Sequence, residues 1–214
     1  MAETNRFSSR LGMVACIQAV SAMVALTGKL IEASSPAIFG RFALSFAYFL
    51  LLVAGLGYVF SGAVLAGMRR HDPRAGTAGT AFTIGAGLAS FGFLLELLAV
   101  IANSTLTFKA GLLFLYIAAP LLVAATALAG LVFLDEADRA RDRAAWGASI
   151  LYTVSPVLAV FMNGVGWVLA AIVATVIICI EARGVPETER ITRTITRQVE
   201  RIREPESQGE EKEA

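Results

Sequence analysis

The sequence predicts an all-α membrane protein: a bundle of about six transmembrane helices followed by an amphipathic helix in the cytoplasm. Of its 214 residues, 57% are hydrophobic and 16% are charged, and the apolar residues occur in long uninterrupted runs. Because short connections join these runs, we expect three antiparallel helical hairpins within residues 11–183. The net charge of +1 argues against a nucleic-acid partner, which leaves the lipid bilayer as the expected surroundings.

The first predicted span covers residues 11–33, after a cytoplasmic N-terminus of residues 1–10. At helical spacing, small and polar residues form a stripe along one face of this span, and the stripe includes Gln18, Lys29 and Glu32. For Gln18 the pattern favours an interhelical hydrogen bond over a place on a polar path. The tight connection Ser34-Ser35-Pro36 leads to the second span, residues 42–67, which Arg41 precedes.

The third predicted span, residues 81–103, carries the carboxylate on which the site prediction depends. Its small residues, including Gly85, Ala89 and Gly92, share one face with Glu96 and predict a packing seam. A carboxylate inside the membrane is costly, so it usually has a partner or a function. Lys29 reaches a similar depth, which predicts a Lys29–Glu96 ion pair, with Arg41 as the rival partner. A purely structural carboxylate and an ion-binding or titrating residue remain the two interpretations of Glu96.

The remaining apolar runs contain two prolines. The fourth span, residues 111–134, has Pro120 in its middle, and Pro156 lies in the fifth, so we expect a kink in each helix. Residues 146–183 are too many for one span, and Asn163-Gly164 divides them into a fifth and a sixth helix or, alternatively, a re-entrant hairpin. The sixth has a small-residue packing stripe of Gly166, Ala170 and Ala174.

Basic residues predict the orientation. Most arginines fall on one side of a six-span bundle, whereas the connections on the other side hold only Arg41 and Lys109. The positive-inside rule therefore predicts that both termini are cytoplasmic. Cys16 and Cys179 lie near that cytoplasmic boundary, so we expect free thiols and no disulfide between them.

The C-terminal segment differs in composition. Residues 184–205 predict a cytoplasmic amphipathic helix, and residues 206–214 a disordered acidic tail. Its narrow apolar stripe could bind lipid headgroups, a partner helix of a membrane complex, or a second copy of the chain in a homo-oligomer. The stripe consists of Ile191, Ile195, Val199 and Ile202.

The sequence contains no catalytic motif, so an enzyme is not expected, and neither a metal site nor a cofactor is predicted. Two functions fit the remaining pattern. The first is a small channel or transporter for an ion or small polar solute, built on an outer-half cluster of Lys29, Glu32, Arg41 and Glu96. The second is a non-catalytic accessory or scaffold subunit that recruits partners through its C-terminal helix. The shared depth of the polar residues gives transport a slight preference.

Overall fold

The structure, a computed structural model, describes residues 2–38, 40–70, 72–140, 142–161 and 168–181. Every one of these residues lies in a helix or in a connection between helices, which confirms the all-helical class over this part of the chain. In chain order the helices are α1 Ala2–Ile38, α2 Gly40–Ala66, α3 Pro73–Ala102, α4 Thr105–Ala140, α5 Arg143–Phe161 and α6 Val168–Glu181.

Aspartate side chains begin two helices at one end of the bundle. Asp72 Oδ1 accepts a hydrogen bond from Arg74 N at 2.8 Å at the start of α3, and Asp142 Oδ1 accepts one from Ala144 N at 2.9 Å at the start of α5. Each satisfies a helix N–H group that has no partner within the helix. Arg74 Nη1 also pairs with Asp135 Oδ2 of α4 at 2.9 Å, so we call this end the Arg74 face.

The opposite end contains the α1–α2 and α3–α4 connections. Gly40 has φ +59°, and Asn103 has φ 54° where it ends α3, so both chain reversals use the left-handed region. Arg41 Nη2 donates a hydrogen bond to Asn103 Oδ1 at 3.2 Å, which shows that the two connections meet. We call this end the Arg41 face.

The position of the first reversal corrects the sequence prediction. A connection at Ser34-Ser35-Pro36 is wrong, because α1 stays helical to Ile38. The chain reverses at Gly40 instead, where the lack of a Cβ atom allows a positive φ. Pro36 lies in the last turn of α1 and does not end the helix.

Small residues face the interior of the bundle and large apolar residues face outward. On α3, Gly85, Ala89 and Gly92 are buried, whereas Phe91 and Leu98 are each 46% exposed. Such an arrangement suits a lipid solvent, in which helices associate through close backbone approach. The two sides of α3 differ as the sequence predicts.

Four helices are long and apolar enough to cross a membrane: Arg10–Ser34 within α1, and all of α2, α3 and α4. The shortest has 25 residues, or about 38 Å at the helical rise per residue, against about 30 Å for the hydrocarbon core. The chain therefore has the form of an integral membrane protein. Among the described residues only these four helices are both long and apolar enough, so the six-span prediction is confirmed for four helices and not for α5 and α6. The three-hairpin arrangement and the orientation stay predictions, and residues 184–205 lie outside the described part.

The last helices close the bundle onto the first. Tyr152 of α5 donates its hydroxyl hydrogen to Gln18 Oε1 of α1 at 2.7 Å. Cys16 of α1 and Cys179 of α6 form a disulfide, with their Cα atoms 5.3 Å apart. The prediction of free thiols is therefore wrong. It was based on the expected position of both cysteines near the cytoplasm, where disulfides are rare. Packing of α6 on α1 nevertheless brings together these two cysteines, which are 163 residues apart in the sequence.

Candidate functional site

A cavity of about 190 Å³ lies inside the bundle, and each of the helices α1 to α6 contributes to its wall. From α1 to α3 the wall includes Ala25, Ala54 and Phe82, and from α4 to α6 it includes Leu122, Tyr152 and Ala171. Ligand sites between the helices of a bundle are commonly of this kind, concave and mostly apolar with few polar groups. The cavity is the candidate site.

Four hydrogen-bonding side chains line the cavity, and three of them are already engaged. The Tyr152 hydroxyl donates to Gln18, the Thr126 hydroxyl donates to the Leu122 carbonyl at 2.8 Å, and Lys29 Nζ pairs with Glu32. The fourth, Tyr58, stacks on Phe82 with ring centroids 6.2 Å apart. No hydrogen bond involves its hydroxyl among the described residues. A molecule in the cavity would therefore meet mostly hydrocarbon.

A neutral polar group lies beside the cavity. Gln18 is fully buried: its Nε2 donates to Ser61 Oγ of α2 at 3.2 Å, and its Oε1 accepts from Tyr152 of α5. We call Gln18, Ser61 and Tyr152 the Gln18 network. It joins three helices and satisfies both ends of the amide, as expected for an interhelical hydrogen bond.

A charged group lies toward the Arg41 face, at the end of the cavity where Lys29 is part of the wall. Lys29 Nζ contacts Glu32 Oε2 at 2.6 Å one turn along α1, and the Tyr48 hydroxyl of α2 donates to Glu32 Oε1 at 3.4 Å. Glu96 is close enough for the charges of Lys29 and Glu32 to act on it. We call Lys29, Glu32, Tyr48 and Glu96 the mouth cluster.

The predicted Lys29–Glu96 ion pair is replaced by Lys29–Glu32. Three residues along one helix bring the ammonium and the Glu32 carboxylate together without any change in helix packing. Glu96 is only 3% exposed, because α4 approaches it closely. A Cβ on Gly111 would lie 2.9 Å from Glu96 Cγ. Across the described part of the chain, no hydrogen bond or ion pair reaches the Glu96 carboxylate.

The rival partner, Arg41, does not pair with Glu96 either. Its guanidinium binds Asn103, and Arg41 and Lys109 both line an open groove of about 370 Å³ on the Arg41 face. This groove is separate from the central cavity. The four predicted charged residues thus divide, with Lys29, Glu32 and Glu96 in the mouth cluster and Arg41 at the surface.

The predicted packing seams are where glycine allows helices to approach. A Cβ on Gly85 would lie 3.1 Å from Leu121 Cβ, and one on Gly92 would lie 2.9 Å from the Gly111 carbonyl oxygen, so both glycines pack on α4. Ala89 lines the cavity. On α6, Ala174 is buried and Ala170 is half-buried, while Gly166 lies outside the described residues.

Two further sets of predicted residues have different outcomes. Pro120 and Pro156 lie inside α4 and α5, where each removes one helical hydrogen bond, and the predicted kinks stay predictions. The four residues of the C-terminal stripe, predicted to bind a partner, lie beyond Glu181 and outside the described part. They are Ile191, Ile195, Val199 and Ile202.

Sequence reasoning missed the tyrosines. Tyr48 belongs to the mouth cluster, and Tyr58 and Tyr152 line the cavity. A signal was present, because each lies within an apolar run, where a buried hydroxyl needs a partner. In the described ranges, no group of three or more histidine, cysteine, aspartate or glutamate side chains could hold a metal ion.

Comparisons with known proteins add no relative: the sequence matches no family model, no curated protein and no solved structure. The functional argument therefore depends on the cavity and on the two polar groups beside it.

Proposed function

We propose that this chain is a small membrane transporter whose solute occupies the central cavity. The observation that carries the proposal is the wall itself, to which all six described helices contribute. A site shared by all the helices changes shape whenever any of them moves, and transporters commonly bind their solutes near the bundle midplane in this way.

The chemistry of the wall favours a particular class of solute. An ion or a strongly polar solute, the class predicted from sequence, would need polar groups along the cavity, but most of those present are bonded to protein. A cavity of about 190 Å³ is somewhat larger than the 150 Å³ apolar cavity known to hold benzene. We therefore propose a small amphiphile, with its apolar body in the cavity and its polar end toward Lys29.

Liposomes containing the purified chain test this proposal with three solutes of equal chain length: hexanoate, hexylamine and hexanol. We expect at least one of them to raise the thermal unfolding temperature, and a charged one to be moved across the bilayer. Ala54→Leu fills the cavity and should abolish both effects, because Ala54 is buried in its wall.

The matched control is Ala63→Leu on the same helix, where Ala63 is exposed. It adds the same volume outside the cavity, so solute binding and flux should be unchanged. If no solute in the panel binds, or if Ala54→Leu retains full flux, the cavity is not a transport site. An ion current in planar bilayers that survives Ala54→Leu would favour a channel on another path.

The accessory-subunit alternative depends on the C-terminal segment, residues 185–214, which the structure does not describe. No contact in the described part favours it over transport. It stays a prediction, and it fails if deletion of that segment leaves the set of co-purified partners unchanged.

A further inference from the structure

Glu96 combines three properties that few carboxylates in a membrane bundle share. It is 3% exposed, it lies within a candidate membrane span, and no hydrogen bond or ion pair from the described residues reaches it. An ionised carboxylate in such a place is strongly disfavoured. In the part of the chain that the structure describes, no side chain neutralises Glu96 through a hydrogen bond or an ion pair, which leaves a bound proton to do so.

The charges around Glu96 show how much neutralisation is needed. Helix α1 contributes Lys29 and Glu32, which pair with each other, and α2 contributes Tyr48, whose hydroxyl binds Glu32. Helix α4 meets Glu96 through Gly111, and the nearest charged residue along α4, Lys109, is exposed. With Glu96 ionised, the mouth cluster would carry a net charge of −1. One bound proton removes that charge.

Part of the surface of the Glu96 carboxylate is exposed. Every fully enclosed side-chain nitrogen or oxygen of the described residues has a hydrogen-bond partner. Since the Glu96 oxygens have none, the small exposed fraction of this residue lies at its carboxylate, where a water molecule can touch it. Along α3, Glu96 lies one helical turn from Phe93, which lines the cavity, and one turn from Ala99, which lines the groove of the Arg41 face.

We propose that Glu96 is a proton-binding site that holds an exchangeable proton when the bundle is at rest. Water delivers the proton to one carboxylate oxygen, an O–H bond forms there, and release returns the proton to water. The Lys29 ammonium pairs with Glu32 and therefore does not pair with Glu96, so Glu96 is neutralised by this proton instead. The inference does not depend on the proposed solute, since protonation is measurable with the cavity empty.

Infrared spectroscopy of the full chain in lipid tests the proposal through the C=O band of a protonated carboxyl group. At neutral pH the wild type should show this band for one group per chain, and transfer to D2O should shift it. Glu96→Gln should abolish the band, while Glu181→Gln, a carboxylate on the Arg74 face, should leave it intact. Glu32→Gln should also abolish it, because Lys29 is then released to pair with Glu96.

Three results would overturn the proposal. The first is a wild type without the band at neutral pH, including a carboxylate signal that responds to sodium instead of to pH. The second is a band that persists in Glu96→Gln. The third is loss of folding in Glu96→Gln, because glutamine has the shape and neutrality of the protonated acid, and the unfolding temperature should be retained or raised.

Discussion

The Gln18 network and the mouth cluster are both polar groups anchored on α1, yet they differ in burial and in completeness: Gln18 is fully buried, whereas the Lys29 side chain is 47% exposed. In the first, the amide of Gln18 has a partner at each end and no formal charge is present. In the second, Lys29 and Glu32 pair with each other and leave Glu96 with no partner among the described residues. A satisfied neutral network holds helices together, whereas an unsatisfied acid is costly unless it is protonated. This difference is the basis for proposing a chemical role for Glu96 and a structural one for Gln18.

The largest effect is expected from a substitution that removes a charge from the mouth cluster. Lys29→Met removes its ammonium and should lower the free energy of unfolding by about 2 to 3 kcal/mol, because the Glu32 carboxylate, within a candidate membrane span, then loses the cation that it contacts. The double variant Lys29→Met with Glu32→Gln should be milder than the single one, since no uncompensated charge remains. Thermal unfolding in lipid measures both. A double variant that loses as much as the two single losses combined would contradict the pairing.

The second largest effect is expected from a substitution that disrupts the Gln18 network. Gln18→Leu should cost about 2 kcal/mol, because it removes the acceptor of the buried Tyr152 hydroxyl and breaks the bond to Ser61, whose hydroxyl still donates to the Tyr58 carbonyl. Adding Tyr152→Phe should then cost little more, since its hydroxyl has already lost its acceptor. The protonated-carboxyl band of Glu96 should stay unchanged in both variants. A change in that band would show that the two groups are coupled and would weaken the comparison.

The third effect concerns the packing that buries Glu96. Gly92→Ala places a Cβ 2.9 Å from the Gly111 carbonyl oxygen, and should destabilise the chain by about 1 to 2 kcal/mol as α3 and α4 separate. Gly87→Ala on the same helix is the control, because nothing lies within 4 Å of its added Cβ. We expect Gly87→Ala to be neutral or stabilising. Equal losses in the two variants would show that helix separation is not the cause.

The smallest effect uses a pair of acids outside the apolar spans. Asp142 raises the pKa of Glu181 above its ordinary value at the Arg74 face. Below the ordinary carboxyl range Glu181 is neutral in both folded and unfolded chains, so Glu181→Gln should change nothing there. As the pH rises through that range, the folded wild type should lose a few tenths of a kcal/mol relative to Glu181→Gln. Unfolding at pH 4 and pH 7 checks the sign.

The sequence predicted the features that depend on one helix at a time. The helical spacing of small and large residues predicted the buried and exposed faces of α3. The length of the apolar runs predicted four of the helices that could span a membrane. The positions of Gln18 and Glu96 on packing faces followed from the same spacing. Each of these depends on residues fewer than about 25 positions apart.

The features that the sequence did not predict depend on which helices become neighbours. A similar depth in the membrane made Lys29 and Glu96 possible partners, but depth alone does not determine which carboxylate the Lys29 ammonium contacts. It contacts Glu32, three residues along the same helix. Cys16 and Cys179 required knowledge that α6 packs on α1. The cavity itself was not predicted, because an empty space within a bundle has no local pattern in the chain.

The disulfide between Cys16 and Cys179 turns most of the chain into a covalent ring. A protease that cuts once in any connection between these residues would open a loop without releasing a fragment. The nicked protein should run as one species in a denaturing gel, and should separate into two pieces only after reduction.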